Sequence, residues 1–492
     1  MGPSTPLALD LATYNWLWGY LIPLGLLMLM WGGLAPEKAR RVAPVAAAAT
    51  ALAIVSYWMV GFGLHMGGAY VITEDPALQG LQRMLPLVPG DARWGVFGLS
   101  GFFLAGETAT STAFYLFLAY LPLIATAVLL ATIALAQTRR WVMVAAGLFA
   151  GAFVVPVAAC WMWGSGWLAH IGETLGLGHG YVDFGGSTLI LWLPGMLVLP
   201  ILLLQPRAEP TRPPEPPHTY APFLANVGAL VMGIGWLGWS LSQPFHVAGA
   251  VLDWQRTALN VLLGMAGAVV TAQLYAWLMT GKPEALLASQ GLGAGWGAIL
   301  SCAPFLPPWG ALITGLLAGL AFPLLHYSVR VVLRIRDAAA AVALALTSGP
   351  IGLLGLTLFA DGQWGQGWNG VGPGIGSIFV TGTGQVSAQL VGLVAVALWG
   401  LLWGSILGVI ASPRILGRWT RANRAHRAAS RDLPTEAESS ADSPPTPASA
   451  EHDGASVADQ SLGVVGRSAP GAASAQAAAD ETNTIEPDIE QV

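Results

Sequence analysis

Three side chains in this sequence could hold a small cation beside an apolar medium. Asp183 opens the apolar run "YVDFGGSTLILWLP" (Tyr181 to Pro194), Trp163 lies in "CWMWGSGW", and Trp239 lies in "GWLGWSLSQPF". A fixed carboxylate attracts a cation, and the face of an indole binds one through its quadrupole. Each residue also has a plainer reading. Asp183 can cap its own helix by accepting from the backbone N–H groups of Gly185 and Gly186, because a carboxylate facing lipid costs a few kcal/mol. The two readings of Asp183 are compatible, since a carboxylate satisfied by backbone donors stays ionised. Trp163 and Trp239 can equally belong to an interfacial aromatic belt. Asp337, beside Arg336, reads as a local ion pair or cap, and His326 in "PLLHYSVR" as a hydrogen-bonded structural histidine. Cys160 and Cys302 have no Cys or His neighbours at ligand spacing, so neither a metal site nor a disulfide framework is expected. With no Walker loop or hydrolase elbow, an ATP-driven pump and an intramembrane protease have no sequence support; neither a cofactor nor enzymatic activity is expected.

The elements that must position these residues follow from composition. Of 492 residues 54% are hydrophobic and only 10% charged, which places the chain among polytopic membrane proteins. The net charge of -5 owes much to an acidic C-terminal tail, and nucleic acid is not expected as a partner. Stretches long enough to span the bilayer run from Tyr14 to Leu34, Val45 to Leu64, Ala113 to Ala136, Trp141 to Trp163 and Asp183 to Leu204. They continue with Phe223 to Trp239, Ala258 to Thr280, Leu286 to Cys302, Trp309 to Val331, Ala338 to Phe359 and Ala388 to Ile410, eleven in all. The first lacks a basic flank and a cleavage site, and so reads as a retained span. Eighteen of the 21 Lys and Arg residues then fall on one face, the exceptions being Arg83, Arg93 and Arg256. The positive-inside rule puts the N-terminus outside and the C-terminus in the cytoplasm.

The sequence thus predicts an all-α polytopic protein of eleven transmembrane helices in the plasma (inner) membrane. A proline-rich connector, residues 206–220, divides two five-helix halves of about 14–204 and 223–410, the pattern of an inverted repeat with one helix added at the C-terminal end. Residues 1–418 form the membrane domain, and 419–492, rich in Ala, Ser, Pro, Glu and Asp, read as a largely disordered cytoplasmic tail. About 45 residues between the second and third spans are too long for a simple turn and predict an external loop with a partly inserted segment.

"VDFGGSTLI" resembles the signature of the ammonium transporter (Amt, Rh and methylammonium permease) family. "GKPEALLASQGLGAGWGAILSCAPFLPPWGALITGLLAGL" and "VPVAACWMWGSGWLA" are similar to two further stretches of that family, in the same order. The resemblance covers roughly Ala12 to Arg418. It implies a homotrimer with a narrow pore in each protomer, ammonium or ammonia as substrate, and possible docking of a PII-type regulator on the cytoplasmic face. It places the vestibule aromatics on Trp163 and Trp239 and the outer aspartate on Asp183. The centre departs from the pattern. Leu191 stands eight residues after Asp183 and Ser348 stands in "TSGPIGLLG", at the positions of the family's paired pore histidines. The gate phenylalanines align approximately with Ala119 and Leu123, and Asp337 falls slightly out of register with the family's second acidic run. At about 100° per residue, Leu191 should lie within a quarter turn of the face of Asp183. Leucine and serine cannot relay a proton as imidazoles do. The resemblance therefore leaves three outcomes: passage of neutral ammonia or another small solute, an altered selectivity, or a closed sensor or regulatory protein. An unrelated secondary transporter with inverted repeats would explain the topology but not the order of the motifs.

Overall fold

The computed structural model describes residues 11–206, 218–242 and 250–412. Most of the connector and all of the 419–492 tail lie outside the described residues. The apolar helical segments are α1 (Leu21–Gly32), α2 (Pro36–Thr73), α3 (Ser111–Ala134), α4 (Arg140–Leu175), α5 (Thr188–Leu203) and α6 (Ala221–Ser240). They continue with α7 (Trp254–Thr280), α8 (Ala285–Ile299), α9 (Pro308–Val332), α10 (Ala341–Phe359) and α11 (Thr383–Ala411). Among the described residues eight of them, all but α1, α5 and α8, are long and apolar enough to cross a membrane. The three shorter ones have irregular ends. A 3-10 stretch, Leu11–Tyr20, precedes α1, a turn through Gly185 precedes α5, and a 3-10 turn at Ala303–Phe305 follows α8. The protein is a predominantly helical, multi-pass membrane protein.

Close packing of small residues sets the helix pairs. α1 lies against α6, α7 against α9, and α5 against both α10 and α11. A Cβ added at Gly25 of α1 would sit 2.4 Å from the backbone N of Met232 and 2.5 Å from the carbonyl of Gly228, so the two backbones touch. Where lipid offers no hydrophobic drive between helices, such contacts are what dispersion can exploit. Apolar side chains such as Phe223, Leu262 and Leu398 are exposed on the outside of the fold, as the hydrocarbon demands.

Two helices widen into a π-turn two residues before a proline: Ala150–Val154 before Pro156 in α4, and Thr188–Trp192 before Pro194 in α5. The pyrrolidine ring crowds the carbonyl four residues back and supplies no N–H, and a wider turn relieves both problems. The long stretch after α2 forms single 3-10 turns and a two-stranded antiparallel hairpin, β1 (Met84–Pro86) with β2 (Gly95–Gly98). Asp91 and Arg93 pair at 3.0 Å in its exposed turn, and that bond holds the Asp91 carboxyl below its ordinary range.

Candidate functional site

The path into α5 is held from across the fold. Gln385 and Gln389, one helical turn apart on α11 and buried, present their amides to the segment before Asp183. The Gln385 side chain accepts from His179 N at 2.9 Å and donates to Gly180 O at 3.0 Å. The Gln389 side chain accepts from Val182 N at 2.8 Å and donates to Val182 O at 2.7 Å. His179 is fixed by the carbonyl of Pro373, 2.6 Å from its Nε2, and burial pushes its imidazole below the ordinary range. A buried segment outside helix and sheet must find such partners for its backbone. Neither glutamine was singled out in the sequence, where two amides inside a long apolar helix were the only signal.

The turn that follows corrects the expected cap. The N–H of Gly185 donates to Leu300 O at 3.0 Å, and that of Phe184 to Ser301 O at 3.3 Å, so the turn is tied to the end of α8. Asp183 instead accepts, through Oδ2, from the N–H of Thr188 at 2.9 Å. Its Oδ1 is buried without a hydrogen-bond partner. Gly186 has φ +80°, and an added Cβ would lie 2.6 Å from the Trp163 ring. Glycine is required there both by the left-handed backbone and by the indole packed on it.

Trp163 and Trp239 are 2% and 1% exposed, which excludes a lipid-facing belt for either. Their rings lie 6.5 Å apart, tilted by 39°. Each indole N–H is spent on a backbone carbonyl, Trp163 on Asp183 O at 3.1 Å and Trp239 on Ala119 O at 2.7 Å. The structure therefore brings all three sequence-chosen residues together: Asp183 orients Trp163, and Trp163 faces Trp239. Three aromatic residues that the sequence reading passed over extend the cluster. Tyr120 stacks on Trp163 at 5.6 Å, His65 meets Tyr120 edge-on at 4.8 Å, and Tyr57 hydroxyl and His65 Nδ1 share a hydrogen bond of 2.9 Å. The helix-three ring in the cluster is thus Tyr120, between the expected Ala119 and Leu123. Ala119 contributes only its carbonyl, and Leu123 is buried in the apolar core.

Leu191 and Ser348 meet below this cluster although they are far apart in sequence. A Cβ at Gly297 of α8 would lie 2.3 Å from Ser348 Oγ and 2.6 Å from Leu191 Cδ1, so both side chains converge on one glycine. Both residues are fully buried. The Ser348 hydroxyl donates to Leu344 O at 2.8 Å, which leaves only its lone pairs for a solute. The quarter-turn estimate for Leu191 assumes a regular α-helix from Asp183 onward, and the structure departs from that premise. Residues 184–186 form a turn, and Thr188–Trp192 is a π-turn, so neither advances by the α-helical angle. Chemically the arrangement offers indole rings beside the segment of Asp183 and, around Gly297, an apolar side chain and one hydroxyl with acceptor capacity in place of any imidazole.

A model of the Ammonium Transporter Family matches residues 16–420. An ammonium transporter of Archaeoglobus fulgidus is 28% identical over 325 residues, 64% of this chain and 63% of its own length. One from Haloferax mediterranei is 27% identical over 276 residues, 52% of this chain and 49% of that protein. The chain thus spans less than two thirds of the length of these curated relatives. Among solved structures, Saccharomyces cerevisiae Mep2 superposes with a TM-score of 0.64 at 21% identity, over 82% of this chain and 89% of that one. A structure named Sensor Amt Protein gives 0.63 at 21%, over 81% and 91%. At that identity the two structures speak for the fold, whereas the family model spans the helices that carry Trp163, Asp183, Trp239, Leu191 and Ser348. The chain belongs to the Ammonium Transporter Family.

Proposed function

We propose that this chain carries ammonium or ammonia across the plasma membrane, with Trp163, Trp239 and Asp183 receiving the cation and the neutral form passing Leu191 and Ser348. The observation that carries this reading is the buried indole pair. Both N–H groups are fixed by carbonyls, so recognition by this pair falls to the rings themselves, which lie 6.5 Å apart beside Tyr120, while Trp163 is bonded to the backbone of Asp183, whose Oδ1 has no hydrogen-bond partner among the described residues. A desolvated cation gains about 2 kcal/mol or more from such a face. Beyond it, an ionised solute meets no partner charge, and the cost of burying it exceeds what the Ser348 oxygen returns. The proton is therefore left on the outer side, and transport proceeds without the twin-histidine relay.

In this reading α1, α5 and α8 also cross, which makes eleven spans with the N-terminus outside and the C-terminus in the cytoplasm. The pairing of α1 with α6 and of α5 with α10 supports two inverted halves, 14–204 and 223–410, since it joins the first helix of each half and the fifth of each half. Family membership supports a homotrimer and a PII-type regulator at the cytoplasmic face.

A specific observation favours a second reading, a non-conducting sensor or regulatory protein. Leu191 and Ser348 have no accessible surface at all, so no gap of water size separates them from their neighbours, and ammonia is of that size. Uptake of ammonium or methylammonium into proteoliposomes, with current recorded in parallel, separates the two. The natural chain should show flux without current, and Leu191→His combined with Ser348→His should add current. Absence of flux from both, where a known transporter works, would sink the transport reading and leave the sensor.

A further inference from the structure

The end of α5 away from Asp183 carries a cavity of about 310 Å³. Its lining comes from four places in the chain. Arg41 belongs to α2, Gln137, Thr138 and Arg139 join α3 to α4, Leu202, Gln205 and Pro206 close α5, and Arg336 precedes α10. Three arginines therefore line one cavity, and among the described residues neither Arg41 nor Arg139 forms an ion pair with a carboxylate. Arg41 donates to the carbonyl of Thr138, which fixes it at the rim. The nearest acid in sequence, Asp337, is turned away from the cavity's charge: its oxygens accept from Val342 N at 3.0 Å and Ala343 N at 3.1 Å. A second observation points the same way. Gln205 Nε2 is buried and has no acceptor among the described residues. A donor in that position costs stability unless something with oxygen lone pairs meets it.

We propose that this cavity binds a phosphate-bearing anion. Planar guanidiniums on convergent stems match phosphate oxygens, and a neutral amide donor beside them completes a tetrahedral set of acceptors. Leu202 and Pro206 supply an apolar flank next to the exposed Leu203 and Leu204, so the site accommodates a lipid headgroup as well as a free phosphate. The volume is at the small end of ligand sites and is ample for a phosphate group. The proposal is independent of whether the pore conducts.

The test uses the purified full chain in a zwitterionic detergent. Thermal midpoints are titrated with inorganic phosphate, with short-chain phosphatidylglycerol and with short-chain phosphatidylcholine as the neutral control. Saturable stabilisation by phosphatidylglycerol is expected. Arg139→Gln should weaken it about fivefold, while Arg140→Gln, the adjacent arginine that does not line the cavity, should change it less than about twofold. Stabilisation by phosphate alone as well would identify a free-anion site, and by the lipid alone a headgroup site; either supports the proposal. Equal effects of the two lipids without any effect of phosphate, or equal weakening by the two arginine substitutions, would overturn it, because either result means detergent-like or diffuse surface binding.

Discussion

Before α5, Asp183 reaches five residues ahead to the N–H of Thr188, and before α10, Asp337 reaches five and six residues ahead to Val342 and Ala343. The two helix starts solve one problem with different residues. At the first, the chain reverses through Gly185 and Gly186, the latter at φ +80°. At the second it reverses through Ala339 and Ala340 at φ +57° and +58°, a region where a Cβ costs roughly 1–2 kcal/mol per residue. That reversal brings the Asp337 carboxylate back to the N–H groups of Val342 and Ala343. The first start is unstrained and leads to Leu191, whereas the second is strained and leads to Ser348. What the comparison teaches is that a carboxylate can hold the start of a helix from five residues away whether the turn between them is built from glycine or from alanine at positive φ.

The comparison breaks most severely at Gly186. Gly186→Ala should lose about 2 to 4 kcal/mol, the sum of left-handed strain and the clash with Trp163. Gly176, at φ +68° with open space around it, provides the control. Gly176→Ala should show the strain alone, and equal falls in thermal midpoint for the two variants would refute the packing component.

A smaller effect sharpens the other helix start. Asp337 lies outside the spanning helices, and burial pushes its carboxyl up to about 6, partly offset by the N–H groups of Val342 and Ala343 and the charge of Arg330. A folded-state value above the unfolded 3.8 means that its stability contribution is complete below about pH 4 and is lost as the pH rises through 6. The natural chain should therefore lose stability relative to Asp337→Asn between about pH 4 and 7. A difference that stays flat or grows in the other direction would show that the carboxylate is solvated.

The smallest expected effect is a gain. Ala340→Gly should raise stability by no more than about 1 kcal/mol, because relief of the positive φ is partly cancelled by the greater freedom of glycine in the unfolded chain. A clear loss in midpoint would mean that the Ala340 methyl group packs for more than the strain it causes.

Much of this protein was legible in its sequence because lipid imposes simple rules. Apolar runs, the one-sided distribution of Lys and Arg, and the order of the motifs marked the helices and the family; Asp183 stood out as a charge in an apolar run, and Trp163 and Trp239 through the resemblance to the family's vestibule aromatics. Leu191 and Ser348 were visible only as departures from the pattern of the family that the motifs resemble. Whatever depended on partners remote in sequence was not legible. Gln385 and Gln389 bracing the entry to α5, Tyr120 and His65 completing the aromatic cluster, and Gly297 drawing Leu191 and Ser348 together all join segments that no local pattern relates. The cap of Asp183 passed from Gly185 to Thr188 because Leu300, from another helix, claimed the nearer N–H. The sequence by itself determined which side chains are present and which medium surrounds them. Only the tertiary structure decided which hydrogen bonds they make, because each buried donor has more acceptors within reach along the chain than packing finally allows.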